Sequence, residues 1–75
     1  MSTQTLDCTG LNCPLPILRL TKAVKALAPG GQVEMIATDP GAQKDVAAWA
    51  TQTGNQLVES REQGGKYHFV VRKAA

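Results

Sequence analysis

Leu57-Val58-Glu59-Ser60-Arg61-Glu62-Gln63-Gly64-Gly65-Lys66-Tyr67-His68-Phe69-Val70-Val71-Arg72-Lys73 reads as a β-hairpin. Gly64-Gly65 supplies the positive φ angles that a two-residue turn requires, and such a turn fixes register. That register pairs Val58 with Val71 and Ser60 with Phe69 on one face, and Glu59 with Val70 and Arg61 with His68 on the other. The second arm, Tyr67 to Val71, is more apolar than the first, so it belongs inside a sheet. The charged first arm belongs at an edge, where charges discourage stray pairing.

Working upstream, Gly54-Asn55 stops a helix that the spacing places over 40–53, with Asp39 as N-cap and Pro40 as first helical residue. Its buried stripe is Ala42, Val46, Trp49, Ala50 and Thr53. Val33, Met35 and Ala37 alternate with Glu34, Ile36 and Thr38 in a strand. Ahead of it, Pro29-Gly30-Gly31 ends an amphipathic helix that starts at Pro16 and buries Ile17, Leu20, Val24 and Leu27. Arg19, Lys22 and Lys25 follow one another at i,i+3 on another side of that helix. Thr5 to Cys8 is a first strand with Leu6 and Cys8 on one face, and Thr9 to Asn12 form a turn around Gly10.

The order β-α-β-α-β-β specifies a two-layer α/β sandwich, one domain spanning residues 1–75. Right-handed crossovers put both helices on one face of a four-stranded mixed sheet. The opposite face carries Glu59, Arg61, His68, Val70 and Arg72 and reads as a solvated face or a partner surface. Trp49 and Met35 read as core, and His68 as a cross-strand neighbour of Arg61.

Composition narrows the function classes. A 75-residue chain has a small core and no room for a separate cofactor domain. Its net charge of +2 and its three aromatics, Trp49, Tyr67 and Phe69, argue against direct nucleic-acid binding. No apolar run reaches the roughly 18 residues of a membrane span, and residues 1–12 lack the pattern of a secretory signal. A cytoplasmic location is therefore expected. Two cysteines and one histidine, without C-x-x-C or H-x-x-x-H spacing, do not make a structural zinc site, so neither metal nor cofactor is expected.

The chemistry concentrates in Gly10-Leu11-Asn12-Cys13-Pro14-Leu15-Pro16. Cys13 stands where the first helix begins, and helix N-termini stabilise a thiolate over a thiol. Each proline fixes its own φ and drives the residue before it out of the α region. Two geometries stay open: Cys13 as N-cap with Pro14 first in the helix, or Leu15 as N-cap with Cys13 just outside. In the first, the Leu15 N–H is the natural donor to the sulfur. Position 16 holds no second cysteine, so a thioredoxin-like disulfide cycle is unavailable at the turn. The turn itself offers no general base, and His68 lies on a distant strand. A lone, accessible, activated sulfur suits formation and hand-over of a persulfide or mixed disulfide. Cys8 shares a face with Leu6 and reads as an inert core thiol. The basic strip Arg19-Lys22-Lys25 reads as the wet side of a helix or as a docking surface for an acidic partner.

Leu6-Asp7-x-x-Gly10-Leu11-x-Cys13-Pro14-x-Pro16, then Asp39-Pro40 with Lys44-Asp45-Val46, then the Gly64-Gly65 hairpin and basic tail, closely resemble the TusA/SirA-like sulfur carriers over nearly the whole chain. The resemblance implies a sheet of strand order 1-2-4-3. It also implies that Cys13 carries sulfane sulfur as a persulfide, with Gly10, Leu11, Pro14, Leu15 and Pro16 forming its turn. The sulfur would come from a cysteine desulfurase, a rhodanese or a DsrE-like protein. It would pass to a DsrE-like or other relay acceptor, in tRNA thiolation or dissimilatory sulfur oxidation. Such a carrier acts stoichiometrically, not as a stand-alone enzyme, and an exposed thiol suits a monomer. Two other readings compete: a thiol redox protein using Cys8 and Cys13, and a small RNA-binding regulatory module.

Overall fold

The computed structural model describes residues 3–74, in the order β1 (Thr3–Cys8), α1 (Leu15–Lys25), β2 (Gln32–Ala37), α2 (Ala42–Thr53), β3 (Gln56–Gln63) and β4 (Lys66–Arg72). The four strands form one mixed sheet of order β1-β2-β4-β3. β1 and β2 pair in parallel, with Leu6 opposite Met35 and Cys8 opposite Ala37, and β4 runs antiparallel to both β2 and β3. Both helices pack on the same face, and their apolar stripes close the core over the sheet. The α/β sandwich and the inner position of β4 are thus as the hairpin and the crossover rule require.

The core consists of Cys8, Leu20, Val24, Val33, Met35, Ala37, Ala42, Val46, Trp49, Ala50, Phe69 and Val71, with Ile17, Leu27, Leu57 and Tyr67 packed around it. No polar or charged residue is buried among the described residues. The indole of Trp49 keeps its Nε1–H satisfied by donating to Thr21 Oγ1 at 2.9 Å. Thr21 Oγ1 in turn donates to Ile17 O at 2.8 Å, so one hydrogen-bonded chain ties α2 to α1. Thr53 does not join the buried stripe: it is exposed, and its hydroxyl donates back to Trp49 O at 2.8 Å.

The element boundaries shift where backbone satisfaction outweighs periodicity. α1 ends at Lys25, leaving Leu27 outside the helix though still against the core. The freed carbonyls find a cation: Lys73 Nζ donates to Leu27 O at 2.7 Å and to Lys25 O at 3.1 Å. A lysine at a helix C-terminus both fills open acceptors and opposes the negative end of the dipole. α2 starts at Ala42 with Gly41 as N-cap, so Asp39 and Pro40 lie before the helix and not at its first turn. Asp39 nevertheless organises that start, accepting from the Gly41 N–H on Oδ1 at 3.1 Å and from the Ala42 N–H on its carbonyl at 3.0 Å. Gly54 closes α2 in the left-handed region, at φ 74°.

In the hairpin, Gly64 and Gly65 both have positive φ, 59° and 79°, as a type I′ turn demands. Ser60 faces Phe69, Glu59 faces Val70 and Arg61 faces His68, as the turn predicts. The expected Val58–Val71 pair does not form, because Val71 is opposite Leu57 and the register slips between Leu57 and Glu59. A bulge here turns Leu57 towards the core and leaves Val58 45% exposed, so the larger side chain takes the inward place. On the opposite face Glu34 pairs with Arg61 at 3.5 Å, Arg61 also pairs with Glu59, and His68 Nδ1 lies 3.5 Å from Glu34 without a hydrogen bond. Glu34, Glu59 and Arg61 are a cross-strand charge cluster on the uncovered side of the sheet.

Cys8 is fully buried on the inner face, and burial holds its thiol above the ordinary value of 9.0. The unfolded chain ionises this thiol first, so its contribution to stability is complete below about pH 9 and is lost as pH rises towards the folded-state value. Denaturant midpoints measured at about pH 8 and about pH 10 are expected to fall more steeply for the wild type than for Cys8→Ala. Parallel pH slopes would show that Cys8 does not supply this term.

Candidate functional site

Parallel pairing of β1 with β2 ends at Cys8–Ala37, so the two strand-to-helix junctions leave the sheet side by side. Ligand and reaction sites of open α/β sheets favour this carboxyl end of the strands. In the first junction Leu11 N–H donates to Cys8 O at 3.2 Å, Gly10 takes φ 79°, and the Thr9 backbone N–H and hydroxyl donate to Asp7 Oδ1 at 3.0 and 2.7 Å. Those bonds from Thr9 hold the Asp7 carboxyl below its usual value. The second junction supplies the tethers: Thr38 Oγ1 accepts from the Gly10 N–H and Asp39 Oδ2 from the Cys13 N–H, both at 2.9 Å.

Helix α1 begins differently from either geometry that the prolines left open. Pro14 itself is the N-cap, at φ −97° and ψ 12°, with Leu15 first in the helix and Pro16 buried behind it. The Leu15 N–H is not available to the sulfur, since it donates to Asn12 O at 2.9 Å. Of the N–H groups that a helix start normally leaves open, Pro14 and Pro16 lack two and Asn12 takes the third. The anion-binding character of the helix end is therefore largely removed.

Cys13 is exposed and Cys8 is buried, and both are free thiols. The expected stabilisation of a Cys13 thiolate is not what the site provides, because the thiol is pushed up. The Asp45 carboxylate is the main cause, followed by desolvation and the negative charge of Asp39. The turn exposes the sulfur and holds it still without activating it. Sequence reasoning met Asp45 only within the Lys44-Asp45-Val46 motif, gave it no place beside Cys13, and missed the tethering role of Asp39. The available signal was the parallel β1–β2 pairing, which obliges Asp39-Pro40 to emerge beside Cys13.

Around the sulfur, Leu11 is half-buried, whereas Leu15 and Leu18 are 48% and 58% exposed. Arg19, Lys22 and Lys25 are all exposed on α1. Helical spacing puts Leu15, Leu18, Lys22 and Lys25 on one stripe, so an apolar patch beside Cys13 runs directly into the basic strip. Leu18 thus joins a surface of which the sequence marked only the basic strip for docking. His68 stays on the far face of the sheet with Glu34 and Arg61, away from the turn. No group of three or more potential metal ligands occurs among the described residues.

A model of the family described as "Sulfurtransferase TusA" matches residues 4–73. The chain is 56% identical over 71 residues to the sulfur carrier protein TusA of Allochromatium vinosum, covering 95% of this chain and 93% of that one. It is 46% identical over 70 residues to the sulfur carrier protein TusA of Pseudomonas aeruginosa, covering 93% and 89%. The crystal structure of a SirA-like protein from Desulfitobacterium hafniense superposes with a TM-score of 0.85 at 25% identity, over 99% of this chain and 100% of that one. A match of this extent, on a fold whose two junctions frame one exposed cysteine, means that the chain belongs to the sulfurtransferase TusA family.

Proposed function

We propose that this protein is a sulfur carrier that accepts sulfane sulfur as a persulfide on Cys13 and passes it to a downstream protein. The observation that carries the reading is the pairing of one exposed thiol on a proline-stiffened turn with one thiol sealed in the core. Relatives named sulfur carrier proteins support it. In loading, the Cys13 thiolate attacks the terminal sulfur of a donor persulfide, the donor S–S bond breaks, and the donor leaves as a thiolate. In discharge, an acceptor thiolate attacks the same sulfur and Cys13 leaves. The sulfur keeps its oxidation level throughout, and no metal or cofactor is required.

Partners of this carrier are a sulfur donor, such as a cysteine desulfurase or rhodanese, and a protein acceptor, such as a DsrE-like protein. They would grip Leu11, Leu15 and Leu18 around the sulfur and the basic strip beyond. The place of work is the cytoplasm; no helix among the described residues is long and apolar enough to cross a membrane. The buried position of Cys8 disfavours a Cys8–Cys13 redox couple, since a resolving thiol must reach the attacked sulfur.

Incubation with a small-molecule persulfide followed by intact mass measurement tests the reading. Wild type and Cys8→Ala are expected to gain one sulfur atom, removable by reductant, and Cys13→Ser none. Equal uptake by Cys13→Ser, or none by the wild type, would overturn it.

A further inference from the structure

The two edges of the sheet are guarded differently. β3 carries Glu59, Arg61 and Glu62 and is bulged between Leu57 and Glu59, two devices that discourage a further strand. β1 has neither. Thr3-Gln4-Thr5-Leu6-Asp7-Cys8 holds no lysine, arginine or proline and pairs with β2 in unbroken register, from Thr3–Gln32 to Cys8–Ala37. Its one charge, the Asp7 carboxylate, is occupied by the Thr9 N–H and hydroxyl. Among the described residues only β2 pairs with β1, so the outer side of this strand offers backbone donors and acceptors to a new one.

Beside that edge lies a groove of about 460 Å³, lined by Leu6 of β1 and by Arg19, Lys22 and Ala23 of α1. Leu6 and Ala23 are half-buried against the core and give it an apolar floor. Arg19 and Lys22 are exposed, and no acidic side chain lines the groove among the described residues. Side chains on one face of a strand recur about every 6.6 Å. That repeat is close to the roughly 5–6 Å that separates Arg19 from Lys22 at i,i+3 on α1.

We propose that the β1 edge and this groove are a docking site for an extended acidic segment of a partner protein. The segment adds to the sheet as a further strand, sets an apolar side chain on Leu6 and Ala23, and sets two carboxylates on Arg19 and Lys22. Backbone hydrogen bonds supply affinity for any extended chain, and the groove supplies the selection. Charge decides the occupant. A second copy, paired edge to edge about a two-fold axis, would set α1 beside α1 and turn Arg19 and Lys22 against their own kind. An acidic segment meets opposite charge instead. β1 leads from Cys8 into the turn that presents Cys13, so one end of the bound segment is directed at that turn. The site is separate from the sulfur chemistry and stands whether or not Cys13 carries a persulfide.

The probe is a capped peptide in which threonines alternate with a valine and two aspartates, so that the last three share one face. It is titrated to millimolar concentration into the isotope-labelled full chain, and backbone amide shifts and hydrogen exchange are followed by NMR. Alternate amides of β1 are expected to shift and gain protection, and those of β3 to stay as they are. Arg19→Gln with Lys22→Gln, or lysines in place of the peptide's aspartates, should weaken binding severalfold. A strand turns alternate N–H groups to opposite sides, so of two peptides N-methylated at one or the other alternate set only one should still bind. No shift, shifts confined to α1, protection on β3, undiminished binding by the double variant, or equal behaviour of the two methylated peptides would overturn the proposal. Protection of β1 that rises with protein concentration in the absence of peptide would overturn it in favour of a second copy.

Discussion

Phe69→Ala is expected to destabilise the chain by about 3–5 kcal/mol, a large share of its whole stability. Phe69 is fully buried on the central strand β4, against Met35 of β2 and on the strand that α2 covers, and is the largest fully buried side chain. Phenylalanine truncation in a packed core costs about 3–5 kcal/mol, the sum of lost transfer energy and the cavity left behind. At roughly 0.05–0.15 kcal/mol per residue, a chain of 75 residues has only about 4–11 kcal/mol to lose. The cavity would also be poorly filled, because the neighbours Met35, Val33 and Val71 stand on strands held by ladder hydrogen bonds. Trp49 lies in the same cluster, so its fluorescence during urea unfolding reports the change. A midpoint within about a tenth of the wild-type value would show that Phe69 is not the centre of the core.

Much of this fold is written in short-range signals. The turn glycines at 64 and 65, the Gly54 stop and the alternation of Val33, Met35 and Ala37 each have a local cause, and each element is present where those causes put it. The failures have one physical form: a long-range demand that a local pattern does not register. Val58 looked inward by turn counting, yet burying Leu57 instead required an extra residue in β3. Asp39-Pro40 had the chemistry of a helix cap, yet the Asp39 side chain is committed to the Cys13 N–H across 26 positions of sequence. Helix α1 fades before Leu27 because Lys73, from the other end of the chain, supplies the donor that caps it.

The site was legible to a similar degree and failed for the same reason. Cys13, its prolines and its exposure follow from seven consecutive residues, and so does the absence of a resolving cysteine. Its protonation does not. A helix start was expected to acidify the thiol, but that effect depends on open N–H groups, and the prolines that make the turn stiff remove them. The Asp45 carboxylate then pushes the thiol up from a helix that lies beside it because β1 and β2 run parallel. Two features that seem to cooperate in sequence, the prolines and the helix end, oppose each other in space.

Reversing the basic strip, with Arg19→Glu, Lys22→Glu and Lys25→Glu together, is expected to slow sulfur transfer from a purified cysteine desulfurase by about 10–100-fold at low salt. All three side chains are exposed, and Lys22 and Lys25 continue the stripe on which Leu15 and Leu18 present apolar surface beside the sulfur. An acidic partner would be steered by the charges and then held by the leucines, so the reversal acts on encounter more than on chemistry. A rival explanation is available in the structure, because Lys22 and Lys25 occupy the last turn of α1, where cations oppose the helix dipole. That term is worth about 0.3–1 kcal/mol per residue and would lower stability without selecting among sulfur donors. Two measurements separate the explanations. Loading by a small-molecule persulfide should be unchanged in the triple variant, and its deficit with the protein donor should shrink as salt approaches about 1 M, where the Debye length falls to roughly 3 Å. Equal slowing with both donors would assign the strip to helix stability, and unchanged transfer from the desulfurase would remove it from the docking surface.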